Sequence, residues 1–457
     1  MFKYKNNKLV LGLLLSTMIL GACGNGDAEG NGATNDTSTE DVDANDTDDN
    51  VDAGENGDTT SEEDITIDFW HIYSDGPMAE LIPELIEEFE ADNQHITVDH
   101  LGTNFWDYFT RLNTAVAGGV GPDLAMNDTT TLTVRAQNNV IVNIDDFINE
   151  DDFNTDDFYP ILMEMMEYEG SYYGLASDTD VRVLYYNRAH FEEAGLDPDS
   201  PPTNWEEWEE YTEALTIIDD NGLVEQMGFS AEIGISNMSL HTLGWTNGGD
   251  WWDEEGKPTF TEPENVEALE FMERINNIYG ENAMSAFRSQ ASALDYNPFI
   301  AETVSMVVET NNLLQDIERY NPDMDYGIAT IPYNVEPVTY SAGFNYEIID
   351  NDDDASARAA WEFMKFLTSE DVQLRIHNEL GNLVSNINAA ESEELMQNEN
   401  WVSIVEEMEH ARFIEFINEL PTWNSTLNSA EEAVLQSNVS PEDALQEAQE
   451  IAEDAVN

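Results

Sequence analysis

The sequence predicts an α/β protein of two lobes, each a mainly parallel sheet flanked by helices, and three observations carry that reading. Strand and helix patterns alternate through residues 65–126, a second α/β stretch opens at Val181, and the chain beyond its N-terminal segments is long enough for two cores. Consecutive strands joined through helices pair in parallel, and ligands of such sheets sit at the carboxyl ends of the strands.

Ile65, Ile67 and Phe69 alternate with polar neighbours, which gives a strand one buried face. It runs into His71-Ile72-Tyr73-Ser74-Asp75-Gly76-Pro77, a turn rich in groups able to contact a ligand. Over 78–90 the residues Met78, Leu81, Ile82, Leu85, Ile86 and Phe89 form one helical stripe, and Pro83 inside it predicts a kink or a late start. Residues 96–101 read as a strand, 105–117 as an amphipathic helix, and 124–126 as a short strand behind a Gly-rich turn. Val181-Arg182-Val183-Leu184-Tyr185-Tyr186 reads as a buried strand, followed by a helix that stops at Gly195. Thr203-Asn204-Trp205-Glu206-Glu207 reads as a capped helix start. Further on come a hairpin over 248–258, a helix over 264–278, a strand over 301–308 and a mostly helical tail with helices over 355–367 and 441–455.

The N-terminus carries an address. Lys3, Lys5 and Lys8 precede an apolar run over 9–20, which ends in Leu20-Gly21-Ala22-Cys23, the single cysteine of the chain. Small residues before a cysteine suit a lipoprotein signal cleaved after residue 22, with Cys23 acylated, for instance by palmitate. A signal anchor with a chance cysteine is the alternative, but a run of about a dozen residues falls short of the roughly twenty needed to span a bilayer. The expected location is the outer face of the cell membrane.

Charge sets the next bound. There are 96 Asp and Glu against 15 Lys and Arg, a formal charge of -81. Residues 24–64 hold fifteen acids, no Lys or Arg and no aromatic, so 23–64 read as a lipidated cysteine and an acidic, disordered tether. The remainder still keeps 81 acids against 12 basic residues, so acidity belongs to the folded surface as well. Repulsion on that scale is relieved when salt shortens the screening length, which predicts a saline or alkaline habitat. It also excludes nucleic acid as a partner. With its cysteine committed to lipid, the chain has no disulfide.

Enzyme signatures are missing: no G-x-S-x-G, H-E-x-x-H or Walker loop occurs, and the seven histidines show no metal-ligand spacing. Asp178 and Asp180 form an acid pair of a kind glycosidases use, but close pairs are expected by chance among 96 acids. Aromatics at strand ends and in loops say more, because a sugar ring offers an apolar face for stacking and hydroxyls for Asp, Glu and Asn. Trp70, Tyr73, Trp106, Trp245, Trp251, Trp252 and Trp423 are the candidates, with packing the alternative for each and a surface or packing role favoured for Trp251-Trp252.

Several stretches resemble one family. Gly174-Leu175-Ala176-Ser177-Asp178-Thr179-Asp180, Leu184-Tyr185-Tyr186-Asn187-Arg188 and Pro201-Pro202-Thr203-Asn204-Trp205-Glu206-Glu207, with Gly121-Pro122-Asp123 and Ser341-Ala342-Gly343, resemble the extracellular solute-binding proteins of bacterial ABC importers, the maltose- and glycerol-3-phosphate-binding group. The resemblance implies a two-lobed periplasmic-binding-protein fold of type II, closing by hinge motion. It implies lobe 1 over 65–178 plus 310–341, lobe 2 over 182–304 plus 346–457, and crossings near 178–182, 304–310 and 342–345. Ligand residues implied are Trp70, Tyr73 and Asp75 after the first strand, Asn127 and Asp128 after the third, Asp180 at the first crossing, and Trp423 in the tail. Glu232 and Trp245 match more loosely. Where the family often carries a stacking Trp near the second crossing this chain has Asn311-Asn312, so either Asn312 hydrogen-bonds ligand or the wall is remade. The function implied is capture of a solute, a sugar or small oligosaccharide, by a monomeric, non-catalytic, cofactor-free and metal-free receptor that serves a membrane permease. Glycerol 3-phosphate or another phosphorylated polyol is the alternative ligand, Arg182 its best-placed cation. A secreted carbohydrate-active enzyme and a surface adhesin are the alternative classes.

Overall fold

The first three strands pair because their apolar faces align. β1 (Ile65–His71), α1 (Gly76–Asp92), β2 (Ile96–Gly102), α2 (Phe105–Ala117) and β3 (Leu124–Asp128) follow one another, and β1 pairs in parallel with β2 on one side and β3 on the other. Gly76, at φ +76, turns the chain out of β1 into α1. Pro77 occupies the first helical turn, where its missing N–H costs nothing, and α1 continues through Pro83 to Asp92 with no late start. The computed structural model describes residues 64–456 except 233, 234 and 418. The expected signal peptide, Cys23 and all of the tether before Asp64 lie outside the described residues.

β4 (Leu175–Thr179) and β5 (Arg182–Asn187) are buried along their whole length, as befits strands covered on both faces. They are followed by α3 (Leu240–Thr246), α4 (Pro263–Tyr279), β6 (Met306–Thr310), β7 (Tyr326–Ala329), β8 (Thr339–Tyr340) and β9 (Gly343–Ile348). The chain closes with α5 (Asp354–Leu367), α6 (Glu370–Leu380), β10 (Leu383–Val384), β11 (Ala411–Arg412), α7 (Trp423–Ser437) and α8 (Pro441–Val456).

One six-stranded sheet has the order β10-β4-β9-β3-β1-β2, and a three-stranded sheet the order β6-β5-β7. The expected mainly parallel pairing holds for β1, β2 and β3. In the other half of the first sheet β9 runs antiparallel to both β3 and β4, and the second sheet is antiparallel throughout. A parallel bridge between Met227 and Val304 extends the second sheet beside β6.

Pairing corrects the lobe boundaries. Within 310–341, expected in lobe 1, β7 pairs with β5 and so lies in the second sheet. Residues 343–384, expected mostly in lobe 2, build the first: β9 fills the gap between β3 and β4, β10 pairs with β4, and Phe363 of α5 packs on Phe69 and Phe89 at 5.4 and 4.9 Å. The tail helices α7 and α8 do pack on the second lobe, against α4. The stretch expected as a crossing over 304–310 is mostly β6, paired with β5 from Met306 to Thr310, and the chain meets the first crossing at Asn311, whose N–H donates to the Val181 carbonyl at 3.1 Å. Local patterning marks a strand but not its partners, which is why these assignments failed.

Candidate functional site

Two short segments join the sheets. β4 passes into β5 through Asp180 and Val181, and β8 passes into β9 through Ser341 and Ala342. They are tied together: the Asp180 N–H donates to the Ala342 carbonyl at 2.9 Å, and the Ala342 N–H donates to Asp180 Oδ1 at 3.0 Å. Arg182 Nη1 donates to Asp180 Oδ1 at 2.6 Å and to the Tyr340 carbonyl at 2.8 Å, while its guanidinium lies 4.0 Å over the Tyr340 ring. Burial raises the Asp180 pKa, and Arg182 opposes it. The Tyr340 hydroxyl is pushed up to about 12, by burial foremost, with Asp180 and Asp128 adding to it.

On the first lobe the loop after β1 is set from beneath. His71 Nδ1 accepts from the Tyr73 N–H at 3.3 Å, so the His71 proton is on Nε2, which lies 3.1 Å from His100 Nδ1. Burial holds His71 neutral, its pKa pushed down to about 3. The Tyr108 hydroxyl on α2 donates to the Met126 carbonyl at 2.7 Å and lies 2.9 Å from that of Trp70, which fixes the ends of β1 and β3 to the helix. Trp70 is half-buried beneath the Arg111 guanidinium at 5.2 Å. Tyr73 is half-buried, its hydroxyl pushed well up by burial, then by Asp178. Asp75 is exposed and makes no capping bond to α1. Asp128 caps the turn behind β3, accepting the Thr130 N–H at 2.9 Å. Asp178 is buried and pushed up to about 7, chiefly by burial; bonds from Asn382 and the Phe344 N–H oppose the shift and Asp180 adds to it.

Of the other expected ligand residues, Trp245 stands beside the crossings, 6.4 Å from the Tyr340 ring, and the rest are placed elsewhere. Asn127 is buried with its amide donating to Glu347 at 3.2 Å, in a network that includes Arg135. Glu232 is buried and holds Arg288 with both oxygens, at 2.7 and 2.8 Å. Asn312 is exposed just past β6 and accepts from Asn311 at 2.8 Å. The ring stacking expected of Trp245 and Trp423 is corrected by their burial, 0% and 1% exposed. Arg412 covers Trp245 at 4.4 Å, and Trp423 packs among Trp252 and Phe260 with its indole N–H on the Glu415 carbonyl at 2.9 Å. Trp251 and Trp252 are packing residues, one of the two roles favoured from the sequence.

The sequence profile of bacterial extracellular solute-binding proteins matches residues 84–401, more than two thirds of the chain. The chain belongs to that family. It is accordingly a binding protein with an extracytoplasmic place of work, and not an enzyme. Its relatives include a Brucella abortus chain named only as a binding protein, 24% identical over 345 residues that make up 74% of this chain and 80% of that one. They also include the sn-glycerol-3-phosphate-binding protein UgpB of Escherichia coli, 23% identical over 70% of this chain and 74% of that protein. Among solved structures, CpMnBP1 with mannotriose bound covers 85% of this chain and 100% of its own at TM-score 0.73 and 22% identity. A Thermotoga lettingae ABC transporter solute-binding protein with α-D-tagatose covers 86% and 100% at TM-score 0.70 and 25% identity. These likenesses agree with the two-lobed fold.

Three side chains at the crossings went unrecognised in the sequence. Tyr340 stands immediately before Ser341-Ala342-Gly343, and that neighbourhood was its one available signal. Phe344 pairs with Asp128 and Asp178 in the first sheet, and Arg412 reaches the crossings through the pairing of β11 with β8. Long-range pairing of this kind leaves no local trace. A separate cavity of about 620 Å³ lies in the second lobe, lined by Pro201, Pro202, Tyr333 and Glu407 among others; it shares no residue with the crossings.

Proposed function

We propose that the protein captures a neutral carbohydrate between its lobes and delivers it to an ABC permease, held at the membrane by a lipid on Cys23. The observation that supports a neutral ligand is that the cations nearest the crossings already have anionic partners: Arg182 has Asp180 at 2.6 Å, and Arg412 has Asp250 at 2.6 Å and Glu415 at 2.9 Å. An anionic ligand would compete with those carboxylates and with the acidic field of the whole chain. Trp70 and Tyr73 offer half-buried ring surface, and Asp75, Asp128 and Asp180 offer acceptors for hydroxyls. The sugars carried by the structural neighbours point the same way. A phosphorylated polyol is the second reading, favoured by the UgpB relatives and by Arg111, which is exposed above Trp70.

A thermal-shift screen of mono- and oligosaccharides, polyols and glycerol 3-phosphate in molar salt decides between them, because a ligand of the folded state raises its melting point. A neutral sugar is expected to score, and Asp180→Ala to abolish the shift. A response to glycerol 3-phosphate alone overturns the neutral reading. The acidic surface also implies a saline habitat, so the melting point of the free protein is expected to climb from low to molar salt. A flat salt response would refute that.

A further inference from the structure

Trp106 is the most exposed large apolar side chain among the described residues, at 84%, and its neighbour Phe105 is 40% exposed. Single exposed apolar residues need no explanation, but this pair has three features that set it apart. The two rings touch, edge to face, with centroids 5.1 Å apart. Phe105 also meets Phe344 at 6.3 Å, and Phe344 follows the second crossing and lies opposite Asp128 and Asp178 in the first sheet. The aromatic surface therefore continues from the place where the lobes join out to the surface of the first lobe. Third, the backbone beneath is fixed: the Asn104 side chain accepts the Trp106 N–H at 3.1 Å as the cap of α2, so the rings project from a rigid turn.

We propose that Phe105 and Trp106 form an outer stacking subsite, and that the ligand is accordingly a neutral oligosaccharide whose chain runs out of the interlobe site across the first lobe. This rests on the carbohydrate reading above and narrows it from any sugar to an oligosaccharide. A hexose ring lays an apolar C–H face on an indole, and its hydroxyls stay in water, so such a subsite works at an exposed rim where an enclosed pocket is not available. The neighbouring Asp107 and the chain's charge of -81 disfavour an anionic occupant and an anionic membrane. Continuity with the crossing through Phe344 favours an occupant that also fills the interlobe site.

The test measures binding across two length series, mannobiose to mannohexaose and maltose to maltohexaose, by titration calorimetry in molar salt, after an array of neutral glycans has been offered to the wild type. If the array singles out another glycan, its own length series is used. Wild type, Trp106→Ala, Trp106→Tyr and Asp180→Ala are compared. The expected result is that wild-type affinity rises beyond the disaccharide, that Trp106→Ala loses about tenfold on the longer chains and nothing on the disaccharide, and that Trp106→Tyr restores most of the loss. Asp180→Ala is expected to lose every length alike. Equal affinity of Trp106→Ala and wild type for the longest chain overturns the subsite while leaving the carbohydrate reading intact. So does a wild type that prefers monosaccharides. Retention of no glycan by the wild type overturns both. A Trp106→Ala change in sedimentation, with glycan affinity unchanged, assigns the patch to a second copy of the chain and overturns the subsite.

Discussion

One tryptophan of the first lobe and two of the second have opposite fates. Trp106 on the first lobe stands 84% exposed at the start of α2, whereas Trp245 and Trp423 on the second are sealed, one beneath Arg412 and the other among Trp252 and Phe260. All three looked alike as candidate ring platforms in the sequence. The difference teaches that an indole's role here follows from what packs over it: α7 carries Trp423 into the core of the second lobe, while Trp106, in the first turn of α2, is left 84% exposed. A like contrast holds for the buried acids. Asp178 in the first lobe has bonds from Asn382 at 3.0 Å and from the Phe344 N–H at 3.3 Å. Glu431 in the second has a carboxylate oxygen with no partner.

The sharpest way to break the contrast is Trp423→Ala. Removing a sealed indole leaves a cavity and is expected to cost about 3–5 kcal/mol, read from urea unfolding. A loss below about 1 kcal/mol would mean that the side chain is not a core residue. Next is Glu431→Gln. Burial, then the charges of Glu232 and Glu432, push Glu431 up to about 8 from an ordinary 4.5. The folded state thus holds this proton more tightly than the unfolded state, so the stability it contributes is complete below about 4.5 and is lost as pH rises to about 8. Glu431→Gln is expected to flatten that decline and to gain on the order of 2 kcal/mol at pH 9, measured by unfolding at pH 5 and pH 9. An unchanged pH slope would show that the carboxyl is better solvated than its burial implies. The smallest effect is Trp106→Ala without ligand, within about 0.5 kcal/mol of wild type, because an exposed side chain has little packing to lose.

How much was legible follows the same division. Period-two and helical stripes marked β1, α1, β2, α2 and β5 within a residue or two, because each shows its buried face in its own sequence. Pro83 gave a kink or a late start as its two expectations, and the late start does not occur, because Pro77 already opens the helix. The partners of β7 and β9 were misassigned because nothing in either strand states which edge it will fill. At the site, the loop after β1 and the position of Asp180 were readable from the family motifs. Tyr340 and Phe344, which flank the second crossing in sequence, were not singled out, and Arg412 reaches it only through the pairing of β11 with β8.

The two hydrogen bonds between Asp180 and Ala342 have a mechanical consequence. Two strands that cross side by side could twist separately, each with its own soft torsions, and the lobes would then wobble about several axes. Lacing one to the other through a carboxylate and a backbone pair, with Arg182 clamped to the Tyr340 carbonyl, makes the two crossings a single strap. A strap bends in one sense. A pull on Asp180 is therefore delivered to both strands at once.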